Sequence, residues 1–144
     1  MRTPPATRAD FVQFTRHTTR WNDNDVYGHL NNTVHYVLFD STVNEWQIAR
    51  GLLDPKSSPV IALVAETGCR YHGEMAYPQV ITAGLRVARL GTSSVRYEIG
   101  LFPDDSDTAA AEGFFVHVHV DAATRRPCPI PEPTRTALAA LVKA

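Results

Sequence analysis

From Thr33 to Arg50 runs the longest segment that lacks proline and glycine while carrying apolar residues at helical spacing, and it constrains everything around it. Tyr36, Phe39, Val43 and Trp46 recur at steps of three, four and three, which is one stripe of a helix. Thr33, Asp40, Asn44 and Gln47 fall on the other side. Asn31 or Asn32 supplies an N-cap, and Gly51 stands where a left-handed C-terminal residue belongs. Ahead of this helix the turn Arg20-Trp-Asn-Asp23-Asn-Asp25-Val-Tyr-Gly28-His29-Leu-Asn31-Asn32 crowds carboxylates, an imidazole and cap residues together. A helix N-terminus offers unpaired backbone N–H groups and a partial positive charge, which suit a developing oxyanion.

The remaining pattern is strands. Phe11 to Arg20 alternates and delivers the chain to the Asp-rich turn. After a Pro/Ser-containing loop, a strand runs from Val60 to about Tyr71, and His72 to Pro78 is a turn. Val80 to Leu90 places Ile81, Ala83, Leu85 and Val87 on one face, and Gly91-Thr92 closes a hairpin into Ser93 to Phe102, where Val95, Tyr97, Ile99 and Leu101 alternate. Ala109 to Asp121 is a last strand, expected to turn Phe114, Val116, Val118 and Val120 inward. A short helix is expected from about Glu132 to Lys143. One strand, one long helix, then four strands is an α+β order: an antiparallel sheet curved around the helix, with an oligomeric partner covering what the sheet leaves bare.

Composition limits the function classes. At 144 residues, 1–144 reads as one domain, with about 1–10 a flexible leader. The leader lacks an apolar signal segment and no run is long enough for a membrane span, so the expectation is a cytoplasmic protein. A net charge of -1 provides no global field for nucleic acid. Cys69 and Cys128 lack zinc or redox spacing and read as free thiols. His117 and His119 have metal-ligand spacing but no third ligand, so they read as surface or interface imidazoles and no metal is expected.

The run Asp23-Asn-Asp25-Val-Tyr-Gly28-His29-Leu-Asn31-Asn32-x-x-x-Tyr36 resembles the hotdog-fold acyl-CoA thioesterases, in the branch that includes hydroxybenzoyl-CoA thioesterase. Gly68-Cys-Arg-Tyr71, the hairpin Arg89-Leu-Gly91-Thr-Ser93-Ser94 and Arg126-Pro127 follow in family-like order. The resemblance implies a five-stranded sheet wrapped around one long central helix, with Asp25 as the catalytic carboxylate and a backbone N–H near Asn32 polarising the thioester carbonyl. Asp25 then either attacks to form a mixed anhydride or deprotonates a water. Val-Tyr follows Asp25 where the hydroxybenzoyl-CoA members have Pro-Ala, which argues against hydroxybenzoyl-CoA as substrate.

Around that centre, His29 reads either as a residue that bonds substrate or orients Asp25, or as a solvent-side turn residue. Asp23 reads as a capping residue, and Gly28, Asn31, Tyr36 and Ser93 join the substrate-binding set. Arg86, Arg89, Arg125 and Arg126 are candidates for the phosphates of coenzyme A. The implied reaction is hydrolysis of an acyl-CoA, or of an acyl group on acyl carrier protein, by a homodimer or homotetramer. No cofactor is required beyond the coenzyme A of the substrate. Two alternatives accompany it: a hotdog hydratase or dehydratase using Asp25 and His29, and a non-catalytic acyl-thioester binding module.

Overall fold

A computed structural model describes residues 3–143. In chain order its elements are β1 (Gln13–Thr18), α1 (Asn32–Ala49), β2 (Val60–Tyr71), β3 (Val80–Leu90), β4 (Ser94–Pro103), β5 (Ala111–Asp121) and α2 (Glu132–Ala139). All five strands pair antiparallel in the order β1-β3-β4-β5-β2, with α1 against one face. This is the hotdog arrangement.

The ends of α1 follow from single residues. Asn31 is the cap, its side-chain oxygen accepting the Thr33 N–H at 3.0 Å. At the other end Gly51, with φ of +70°, donates to the Ile48 carbonyl while Leu52 N–H reaches back to Gln47, a Schellman closure. Leu38, Phe39, Val43 and Trp46 are buried against the sheet, and half-buried Tyr36 packs edge-on against Phe39. Gln47, expected on the polar side, is instead buried. The Tyr97 hydroxyl in the core needs a partner, and Gln47 Nε2 donates to it at 3.1 Å.

On β3 and β4 the expected inward sets hold: Ile81, Ala83, Leu85, Val87, Val95, Tyr97, Ile99 and Leu101 are all essentially inaccessible. On β5 the faces are the reverse of expectation, although Val120, the last of the expected inward set, is buried where it bridges Pro127. Ala111, Gly113, Phe115, His117 and His119 face α1, whereas Phe114, Val116 and Val118 lie half-buried on the outer face. The pairing register is the physical reason. Tyr97 stands opposite Phe115, Ile99 opposite Gly113 and Leu101 opposite Ala111, so once β4 has turned its aromatic and aliphatic set inward, β5 has no freedom left. His117 and His119 are therefore core residues, not surface imidazoles.

Both chain ends are more tied down, or shorter, than expected. The first two residues of the expected leader lie outside the described residues. From Ala6 onward the chain is held: Ala6 N–H donates to Glu112, Ala6 carbonyl accepts from Ala109, and Thr7 bridges Thr108. At the other end α2 stops at Ala139, not near Lys143, because Leu141 carbonyl accepts the Val87 N–H and Val142 bridges Val87 on β3. Strand β2 is an outer strand of the sheet, with a bulge between Val64 and Glu66 and with Leu63 and Val64 exposed. Among the described residues no helix is long and apolar enough to cross a membrane.

Candidate active site

The site begins as a tightly braced turn. Asp23 is buried, its carboxylate accepting the Arg20 backbone N–H at 2.8 Å and the Arg20 guanidinium at 2.9 Å, while its carbonyl accepts the Asn31 N–H. Asp23 thus holds the turn together and presents no free carboxylate. Two residues on, Asp25 N–H donates to the His29 carbonyl, and Gly28, at φ of +86°, donates its own N–H to the Asp25 carbonyl. Only one Asp25 oxygen is engaged by backbone, Oδ1 with the Tyr27 N–H at 2.9 Å. Oδ2 lies 3.6 Å from His29 Nδ1.

His29 is oriented by its neighbour more than by Asp25. Nδ1 is 3.1 Å from the Leu30 carbonyl, which can only accept, so the hydrogen sits on Nδ1 and Nε2 is the nitrogen left open. That bond raises the imidazole pKa above its ordinary value, and the Asp25 and Glu74 carboxylates add to the effect against partial desolvation. The turn is then pinned to the β2–β3 connection, where Leu30 N–H meets the Met75 carbonyl at 2.7 Å and Tyr77 N–H meets Asn24 Oδ1 at 3.0 Å.

At the start of α1 the first backbone donor is left over. Thr33 N–H is taken by the Asn31 side chain and Val34 N–H by the Asn31 carbonyl, but Asn32 N–H has no partner among the described residues. Asn32 carbonyl accepts from the Tyr71 hydroxyl at 3.2 Å. Asp25, His29 and Asn32 line one cavity of about 550 Å³ together with His35, Tyr71 and His72. A more open depression across the turn adds Gly28 and Asn31, and Asp25 and Asn32 border both.

Other expected site residues lie elsewhere in the chain. Tyr36 is packed against Phe39 and does not line the cavity. Ser93 sits in the β3–β4 hairpin, where its carbonyl receives both His119 N–H and His119 Nδ1. Arg86 is on the outer sheet face, paired with Glu98 at 2.8 Å and bonded to the Asp10 carbonyl. Arg89 is exposed beside Arg96, and Arg125 and Arg126 are exposed in the loop after β5.

His35, Tyr71 and His72 are among the lining residues that no sequence signal placed at the site. His35 is buried one turn into α1, Nδ1 3.3 Å from the Asn31 carbonyl and its ring edge-on to Tyr71 at 4.8 Å; burial pushes its pKa down. Tyr71 and His72 arrive from the end of β2, and nothing local in the sequence ties that strand end to the Asp25 turn.

A five-stranded antiparallel sheet in this strand order, with one long helix against its face, defines a hotdog protein. The chain matches the family model described as the thioesterase-like superfamily over residues 19–138, and it belongs to that superfamily. It is similar to the PA5185 protein of Pseudomonas aeruginosa, with 48% identity over 98% of this chain and 99% of that one and a TM-score of 0.95. The PA2801 protein of the same organism is 27% identical over 89% and 98% of the two chains, with a TM-score of 0.83. A predicted thioesterase from Bacillus stearothermophilus is 27% identical over 90% and 96%, with a TM-score of 0.78. A search of curated proteins found no match.

Proposed function

We propose that the protein is an acyl-CoA thioesterase that hydrolyses its substrate to free acid and coenzyme A. One observation carries the reading: Asp25, with Oδ2 free of backbone bonds, and Asn32, with an unpaired N–H at the α1 terminus, line the same cavity. A thioester carbonyl seated there has its oxygen toward the Asn32 N–H, where the helix dipole favours the negative charge that develops during attack. Asp25 supplies the other half, as nucleophile or as base toward a water. His29, with Nε2 open, is assigned to the substrate side of the turn, and Gly28 and Asn31 shape the rim.

The working unit is assigned as a homodimer or higher oligomer. Strand β2 leaves Leu63 at 41% and Val64 at 50% exposure on an open sheet edge, and Val37 on α1 is 57% exposed. Pairing β2 with a second copy covers that edge, which a protein in solution otherwise has to protect. The assigned carrier is coenzyme A, with acyl carrier protein as the second candidate.

A thiol-release screen across short, medium, long and aromatic acyl-CoAs tests the activity. Release of free thiol from a saturated acyl-CoA supports hydrolysis. Conversion of an enoyl- or hydroxyacyl-CoA without thiol release points to the hydratase class instead, and tight binding without turnover to a binding module.

A further inference from the structure

The cavity that holds Asp25 is also lined by His72, a residue with a carboxylate partner that the chemistry above does not use. His72 follows the last residue of β2, and its N–H and that of Gly73 are both fixed on the Ala110 carbonyl at 2.8 and 2.9 Å. Its Nε2 lies 2.7 Å from Glu112 Oε2, with the imidazole only 13% and the carboxylate 24% exposed. Glu112 is itself held, since the same oxygen accepts the Ala6 N–H at 3.1 Å. A carboxylate only accepts, so the hydrogen bond places a proton on Nε2 and leaves Nδ1 with no partner among the described residues. A carboxylate bonded to one imidazole nitrogen of a histidine that lines a reaction cavity is the orienting arrangement that acid–base catalysis uses.

We propose that His72 is a further catalytic residue, the general acid for the leaving sulfur, and that Glu112 is its positioning residue. The assignment rests on the thioesterase reading. Hydrolysis requires a proton at sulfur, and Asp25, engaged on the carbonyl carbon, is committed to attack or to the water. Protonated His72 gives its Nδ1 proton to sulfur as the C–S bond breaks and the bonding electron pair moves to sulfur. The thiol departs, the neutral imidazole is reprotonated from solvent, and Glu112 stays ionised throughout. The titratable groups around His72 are Glu112 from β5, Asp25 and His29 from the turn, His35 from α1, Tyr71 from β2 and Glu74 from the same connection. Glu112 makes the direct bond and fixes the orientation of the ring.

Leaving-group dependence separates this role from a structural clamp. His72→Gln keeps a nitrogen donor for Glu112 and removes Nδ1, and the full chain is assayed with an acyl-CoA and with the same acyl group on an activated thiophenol, which leaves without protonation. The expected result is a fall in kcat of about 10²-fold on acyl-CoA, the low end for acid–base catalysis, with little change on the thiophenyl ester. Glu112→Gln is expected to lower kcat on acyl-CoA with little change on the thiophenyl ester and with Tm near wild type, as loss of ring orientation requires. Equal loss on both substrates with a lowered Tm would overturn the proposal in favour of a clamp, and so would wild-type kcat in His72→Gln. If the wild type released thiol from no acyl-CoA, the thioesterase reading would fail and this assignment with it.

Discussion

The imidazole of His117 stands edge-on to Tyr97 with ring centroids 5.2 Å apart, and neither of its nitrogens meets a hydrogen-bond partner among the described residues. A polar ring at 3% exposure without partners is costly to keep, and far more costly to charge. Burial pushes its pKa down to about 4, with the neighbouring His119 acting in the same direction.

The consequence is a measurable pH dependence of stability. In the unfolded chain the ring titrates near 6.5, so its contribution is fully present above that pH and is lost as pH falls toward about 4. A shift of that size corresponds to roughly 3 kcal/mol at about 1.4 kcal/mol per unit. His117→Phe should flatten the stability profile across this window and match or exceed wild-type stability at pH 7.5, because an apolar ring replaces an unsatisfied polar one. Urea unfolding of both proteins at pH 7.5 and 4.5 checks it. An unchanged pH dependence would count against the buried, neutral imidazole.

Gly113 is the point where β5 passes beneath Phe39, and a Cβ there runs into the Phe39 ring. Gly113→Ala is expected to destabilise by about 1–3 kcal/mol through overpacking. Phe39→Leu alone opens a cavity, so the double variant should be less damaged than the sum of the two single ones. Thermal unfolding of the four proteins measures the coupling, and strict additivity would contradict the contact.

Asp25→Asn keeps a side-chain oxygen for the Tyr27 N–H and removes the charge, so the turn should survive while the chemistry does not. A loss of at least about 10²-fold in kcat on acyl-CoA is expected, with Tm within a few degrees of wild type. Wild-type turnover in this variant would remove Asp25 from the catalytic role.

The legible parts of this chain were those set by local pattern. A long helix without glycine or proline, an asparagine cap and clean alternation on β3 and β4 are written within a few residues of where they act. The faces of β5 were not, because both of its sides carry large or apolar residues. Valines at 116, 118 and 120 score as the inward set, yet the register with β4 sends Phe115 and His117 inward. Gln47 misled in the same way, since its burial is decided by a hydroxyl fifty residues away. In the site, Asp25, Gly28, His29, Asn31 and Asn32 were readable as one motif, whereas His35 joins them through one turn of α1 and Tyr71 and His72 only through the tertiary packing of β2 beside the α1 start.

Ion pairing narrows the choice of arginines for the nucleotide end of coenzyme A. Arg86 and Arg96 share Glu98 on the outer sheet face and have little to offer a phosphate. Arg125 and Arg126, by contrast, are exposed, and neither meets a carboxylate among the described residues. Arg125 sits at φ of +63°, closing the loop after β5 so that two free guanidinium groups stand at adjacent positions. Adjacent arginines grip phosphate oxygens by paired, charge-assisted bonds that are the same in the ground and transition states. Replacing both by Ala is therefore expected to raise KM for acyl-CoA several-fold with kcat nearly unchanged, the sign of lost uniform binding. Acyl-pantetheine, which lacks the nucleotide phosphates, should be hydrolysed equally well by both proteins. Steady-state kinetics on the two substrates decides the matter: equal effects on both, or none on either, would return Arg125 and Arg126 to solvated loop charges and leave Arg89 as the remaining expected candidate for that role.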